Sequence, residues 1–225
     1  MGRILFVLLL LQGMGGSAFA AAESSDPHEF VTVFIHHIGE AEGLRAQAEK
    51  DLAAAGRDKG AAILSSSTRF AVALRVQAES LNSFHLPPPM GGAPQKFATL
   101  LHQKAGLYET YVAVAEALTG TPKPGLLYEK LGDKSPDLRG MIEDADETML
   151  KAMPLVFATL VSTTPDSEGY VSRLTITKAQ RASLIHDLDA AFGKKLEAKN
   201  QNYIVSAAAM LRGHLHQPYK CSDEP

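Results

Sequence analysis

Apolar residues recur along most of this chain at alternating steps of four and three, the spacing that lines one face of a helix. Phe30, Phe34, His37, Ala41, Leu44 and Ala48 form the first such stripe. It opens on Ser25-Asp26-Pro27, a cap followed by proline at the first helical position, and closes near Ala55-Gly56. A second helix is predicted over 61–84, with Phe70, Leu74, Leu81 and Phe84 inward. Phe97, Leu101, Tyr108, Tyr111, Ala115 and Leu118 define a third, closed by Gly120. The fourth follows Ser135-Pro136-Asp137 and carries Leu138, Met141, Ile142, Ala145, Met149, Met153, Val156 and Leu160. Pro154 falls inside that pattern and is expected to kink the helix or end it early. Thr177-Lys178-Ala179-Gln180 has capping-box spacing, and Leu184, Leu188, Ala191 and Phe192 continue that helix to Gly193. A last helix over 199–215 carries Ile204, Ala208, Leu211 and Leu215 and stops before Pro218.

Between these segments the helical period fails. Leu86-Pro87-Pro88-Pro89-Met90-Gly91-Gly92-Ala93-Pro94 reads as a stiff extended strap followed by a turn. Residues 162–175 are polar, with a turn predicted at Pro165-Asp166-Ser167-Glu168-Gly169. Residues 170–176 are the best strand candidate, without an obvious partner strand. The pattern predicts an all-α fold: one helical-bundle domain of five to six main helices. Gly39 and Gly43 admit close approach of a neighbouring backbone, and Glu40 and Glu42 beside them point to a bundle in water rather than in lipid.

One apolar stretch has no period. Residues 4–11 follow the cation Arg3 and lead through small residues to Ala18-Phe19-Ala20, the pattern of a cleaved signal peptide over 1–20. The run is too short to span a bilayer. The expected working chain is 21–225, a single all-helical domain with a flexible tail over 217–225, periplasmic or secreted. No later run reaches membrane-spanning length, so no stable membrane insertion is expected.

Charge narrows the partners. The 225-residue chain has 22 basic and 25 acidic residues, and losing Arg3 with the leader takes the formal charge from −3 to −4. Without a basic patch, nucleic acid is not an expected partner. Cys221 is the only cysteine, so no internal disulfide can form and packing must hold the fold.

Candidate chemistry is sparse. None of the eight histidines lies three or four residues from another, the spacing at which one helix presents two ligands together. Glu-x-x-His, His-Glu-x-x-His and Cys-x-x-Cys-His are absent, as are Gly-x-Ser-x-Gly and phosphate-binding glycine loops. No catalytic residue is assigned and no cofactor is implied. His37 interrupts the first apolar stripe; buried there, it needs a hydrogen-bond partner, and an acid such as Glu109 or Glu116 would have to come from another helix. Tyr108, Tyr111 and His37 are the candidate ligand-binding residues, on an inter-helix groove. His214, His216 and Cys221, near Asp223, are the candidate metal ligands, gathered by the tail. The acidic run Glu143, Asp144, Asp146 and Glu147 reads as a solvated helix face.

Ile176-Thr177-Lys178-Ala179-Gln180-Arg181 resembles the Leu-Thr-x-x-Gln stretch of small periplasmic stress chaperones, which are exported, all-helical and bind unfolded clients. The resemblance covers six residues, has Ile for Leu, lacks a second copy, and assigns the chain to no family. The expected function is an exported binding or interaction module for a protein or small-molecule ligand, leaning away from an enzyme. The alternatives are a metal-handling or sensor protein using its histidines, a chaperone-like client binder, and an enzyme with a dispersed site.

Overall fold

The computed structural model describes residues 25–55, 59–86, 91–117, 138–166, 169–199 and 201–225. The elements run α1 Pro27–Ala54, α2 Lys59–Asn82, α3 Ala93–Ala117, α4 Leu138–Ala158, β1 Val161–Asp166, β2 Gly169–Leu174, α5 Lys178–Phe192 and α6 Tyr203–Leu215. A 3-10 turn, Gly193–Glu197, joins the last two. The described chain is mostly helical, as the periodicity predicts. The leader, the strap prolines 87–89, residues 118–137 with their loop and cap, and residues 167–168 of the predicted turn lie outside the described residues. Among the described residues, no helix is long and apolar enough to cross a membrane.

α1 is the axis of the packing. Asp26 caps it, its Oδ1 accepting from the His28 amide at 2.9 Å, and Pro27 begins the first turn. Its stripe buries Phe30, Phe34, Ile38 and Ala41. Phe30 meets Phe84 edge-on at 5.5 Å, and Phe34 meets Phe97 of α3 at the same separation. One flank of α1 lies on α2, the other on α5 and α6. Gly39 lies at the second approach: a Cβ there would sit 3.4 Å from Cβ of Ala191, in van der Waals contact.

α4 continues through Pro154 to Ala158, where an early end or kink was expected. Pro154 lies on the exposed side of the last turns, so its ring and missing donor face solvent rather than the core. The capping box of α5 is present: the Thr177 side chain accepts from the Gln180 amide at 3.2 Å, and Gln180 Oε1 accepts from the Thr177 amide at 2.9 Å. α6 starts later than predicted, at Tyr203, because Asn202 caps it by accepting from the Val205 amide at 2.9 Å.

Two expectations about the C-terminal third are corrected. The strand over 170–176 has a partner: β1 pairs antiparallel with β2, from Val161 opposite Leu174 to Asp166 opposite Gly169. β1 escapes detection because Ser-Thr-Thr-Pro lacks apolar alternation, and a proline is tolerated only at a sheet edge. Gly169 has φ +138°, a conformation glycine adopts readily and other residues rarely do. The tail, expected to be flexible, is docked. Lys220 bridges Arg173 in parallel, the Leu174 amide donates to the Lys220 carbonyl at 2.9 Å, and the Ser222 amide donates to that of Ile176 at 2.9 Å. Asp223 then accepts from the first amide of α5, that of Lys178, at 3.0 Å.

Candidate functional site

Half-exposed leucines lie along α3 and α4, while Val72 and Val76 of α2, 59% and 58% exposed, are more open still. Leu100 and Leu107 share a flank of α3 two turns apart and are 44% and 45% exposed; Leu155 of α4 is 43% exposed. Leu155 and Phe97, one turn before Leu100, also line a hollow with Phe30, Ala93, Ala152 and Val156. The hollow has room for about 10 Å³, no more than a single water, and is partly open to solvent. Drug-sized ligands occupy sites of roughly 300–1,000 Å³. This surface therefore suits a partner that lies across it better than a molecule enclosed within it.

The residues singled out from the sequence do not assemble into one site. Tyr108 is 1% exposed and stacks on Phe70, with ring centroids 5.4 Å apart and planes 14° apart. It packs the α2–α3 core and lines no open groove. Tyr111 lies on α3, but its side chain is outside the described residues. His37 is buried in the stripe of α1, at 5% exposure, and neither ring nitrogen has a hydrogen-bond partner among the described residues. Its acid comes from its own helix, Glu40 Oε2 at 3.8 Å from Nδ1, whereas Glu109 is paired elsewhere. Burial, the largest influence, lowers its pKa from 6.5 to about 4; Glu40 opposes that shift and His36 reinforces it.

The proposed metal ligands are held apart in function as well as position. His214 stacks on Phe157 at 4.1 Å, His216 is exposed at the end of α6, and Cys221 is fully buried. Arg181 Nη1 stands 3.8 Å from the Cys221 sulfur. Among the described residues, no three His, Cys, Asp or Glu side chains are grouped to hold a metal ion. Within the acidic run, Glu147 pairs with Lys151 at 2.7 Å; the other three side chains lie outside the described residues.

Two polar clusters escaped the sequence reading. Glu42, 3% exposed, accepts from Arg45 at 2.8 and 2.9 Å, from Lys195 at 3.1 Å and from Asn202 at 3.1 Å. Burial alone would raise its pKa. The hydrogen bonds from Arg45, Lys195 and Asn202, with the Arg45 charge, outweigh that and hold it below the ordinary carboxylate value. Arg181 of α5 reaches the end of α6 and the tail, donating to the carbonyls of Leu215 at 2.6 Å, Gln217 at 2.5 Å and Tyr219 at 3.1 Å. It satisfies carbonyls that a helix end leaves without intrahelical donors. Both clusters join elements distant in sequence, and both spend their charges internally.

A third cluster is at the surface. Arg75 makes a two-pronged bond to Glu109 at 2.8 and 2.9 Å and lies 2.9 Å from His102 Nδ1, while His102 Nε2 lies 3.3 Å from Glu79. A histidine and a carboxylate are thus within reach of each other, but Glu79 is largely exposed, and water screens such a pair. Comparison with protein-family models, curated proteins and solved structures gives no match to this chain.

Proposed function

We propose that this chain is an exported, single-domain helical binding module without enzymatic activity, and that it engages a protein partner through the α3–α4 surface. The observation that carries this reading is the half-exposed Leu155 at the rim of the shallow apolar hollow, with half-exposed Leu100 and Leu107 further along α3. Apolar side chains exposed singly need no explanation, but several on neighbouring helices about an apolar hollow suit an interaction surface. The hollow's small volume favours a protein over a small-molecule ligand. Export rests on the leader pattern over 1–20, with a periplasmic or secreted destination.

A lysine-directed cross-linker tests the placement on protein isolated with its partner. Cross-links should concentrate on Lys96, Lys104 and Lys151, which lie on α3 and α4. Cross-links confined to Lys194, Lys195 and Lys199, near the 3-10 turn, would move the working surface elsewhere. For the chaperone alternative, the six-residue resemblance coincides with the capping box of α5, which accounts locally for its Thr and Gln.

A further inference from the structure

His37, Glu40 and Gln77 meet where α1 lies on α2. Gln77 is almost fully buried, and its Nε2 donates to Glu40 Oε2 at 3.0 Å, with the His37 carbonyl 3.5 Å away. The same Glu40 oxygen stands 3.8 Å from His37 Nδ1, just beyond hydrogen-bond reach. One carboxylate oxygen therefore serves a bond between helices and faces an unpaired ring nitrogen on its own helix. We propose that His37, Glu40 and Gln77 form an acid-sensitive latch, in which a proton on His37 draws Glu40 away from Gln77 and loosens α1 from α2.

The exchange follows from what each state requires. A neutral imidazole puts no net charge into the stripe of Phe34, Ile38 and Ala41. The protonated ring brings a charge and two donors into that setting, where an unpaired charge is costly. Its nearest acceptor is Glu40. Closing that gap makes a pair within one helix turn and weakens the bond that crosses to α2. The charged or titratable groups acting on the ring are Glu40 and His36 of α1, while neutral Gln77 of α2 reaches the His37 carbonyl and Glu40. On the other flank of α1, Lys195 and Arg45 are bound to Glu42, with Asn202 completing that cluster.

The closed form binds its proton only near pH 4, whereas an opened seam restores the ordinary value of 6.5. Between those values the open form holds more protons, so closure is complete above pH 6.5 and is lost as pH falls toward 4.

Histidine NMR on the full chain, with amide hydrogen exchange in parallel, tests the latch. The His37 ring should titrate near pH 4. Amides of the facing segments 30–41 and 70–81, corrected for intrinsic exchange, should open on the order of tenfold more at pH 5 than at pH 7.5, with α5 and α6 changing far less. Glu40→Gln should move the His37 midpoint lower still, and His37→Leu should flatten the pH dependence of the seam. A His37 midpoint near 6.5 would overturn the latch, as would equal loss of protection throughout the chain. Should His37→Leu not fold, the wild-type titration and Glu40→Gln decide alone: an unmoved midpoint in Glu40→Gln removes Glu40 from the device.

Discussion

Replacing Glu42 with alanine should lower the unfolding free energy by about 3–5 kcal/mol, the cost of breaking a buried ion pair from one side. The side chain sits between α1, the 3-10 turn and the cap of α6, and its two oxygens take four hydrogen bonds. Alanine leaves Arg45 its pair with Glu49, removes the carboxylate to which Lys195 donates, and frees Asn202 from the contact that ties the α6 cap to α1. At roughly 2–4 °C per kcal/mol for a chain of this size, the thermal midpoint should fall on the order of 10 °C. Lys195→Ala is the control. Its ammonium is more than half exposed, so its loss should cost under about 1 kcal/mol. Equal effects from the two substitutions would mean that Glu42 matters only as a surface charge. The pH dependence has a definite sign. Because the folded-state pKa of Glu42 is depressed, its stabilisation is present above the ordinary value of 4.5 and is lost as pH falls through the lowered one. That window lies below most of the range over which His37 acts.

Arg181→Ala should cost about 2–4 kcal/mol, since charge-assisted hydrogen bonds contribute roughly 1.5–3 kcal/mol each and three carbonyls lose the same donor. The effect should be local before it is global. With Leu215, Gln217 and Tyr219 released, the tail keeps only its Lys178 contacts to α5, and Cys221, fully buried in the wild type, becomes accessible. A thiol reagent should label Arg181→Ala under native conditions much faster than the wild type. Arg181→Lys should rescue little, because one ammonium cannot reproduce the guanidinium fork that reaches three carbonyls at once. Unchanged labelling would show that the contacts of Lys220, Ser222 and Asp223 hold the tail without Arg181.

The helices were legible because their signals are local. The Asp26-Pro27 entry, the Thr177–Gln180 box and the apolar steps on α1 each act within a few residues, and each appears in place. The burial of His37 was legible for the same reason. What escaped depends on contacts far along the chain. Glu42 reads as a surface charge between two glycines, since its partners Lys195 and Asn202 follow more than 150 residues later. The tail reads as polar and loose because its anchors, backbone pairs with β2 and the bonds of Arg181 and Asp223, join residues more than 30 positions apart. Arg181 appears in the sequence as one letter of a short resemblance; only its reach to the α6 carbonyls gives it a role. β1 shows no strand pattern of its own and is organised by pairing with β2. Tyr108 illustrates the converse error: an amphipathic residue on an apolar stripe suits a groove or a core equally well, and its stacking on Phe70 places it in the core.

The proposed function rests on a surface that two substitutions can remove with little effect on the fold. Leu100→Glu with Leu107→Glu adds charge at half-exposed positions, where substitutions typically change stability by less than about 0.5 kcal/mol each. Native mass spectrometry of the protein purified from its native source, wild type beside this double variant, is the direct measurement. The expected wild-type spectrum shows a chain beginning at Ala21 with a protein partner bound, and the variant shows the same chain alone. A partner retained by the variant, or a wild-type chain that carries a metal ion or no partner at all, would contradict the account.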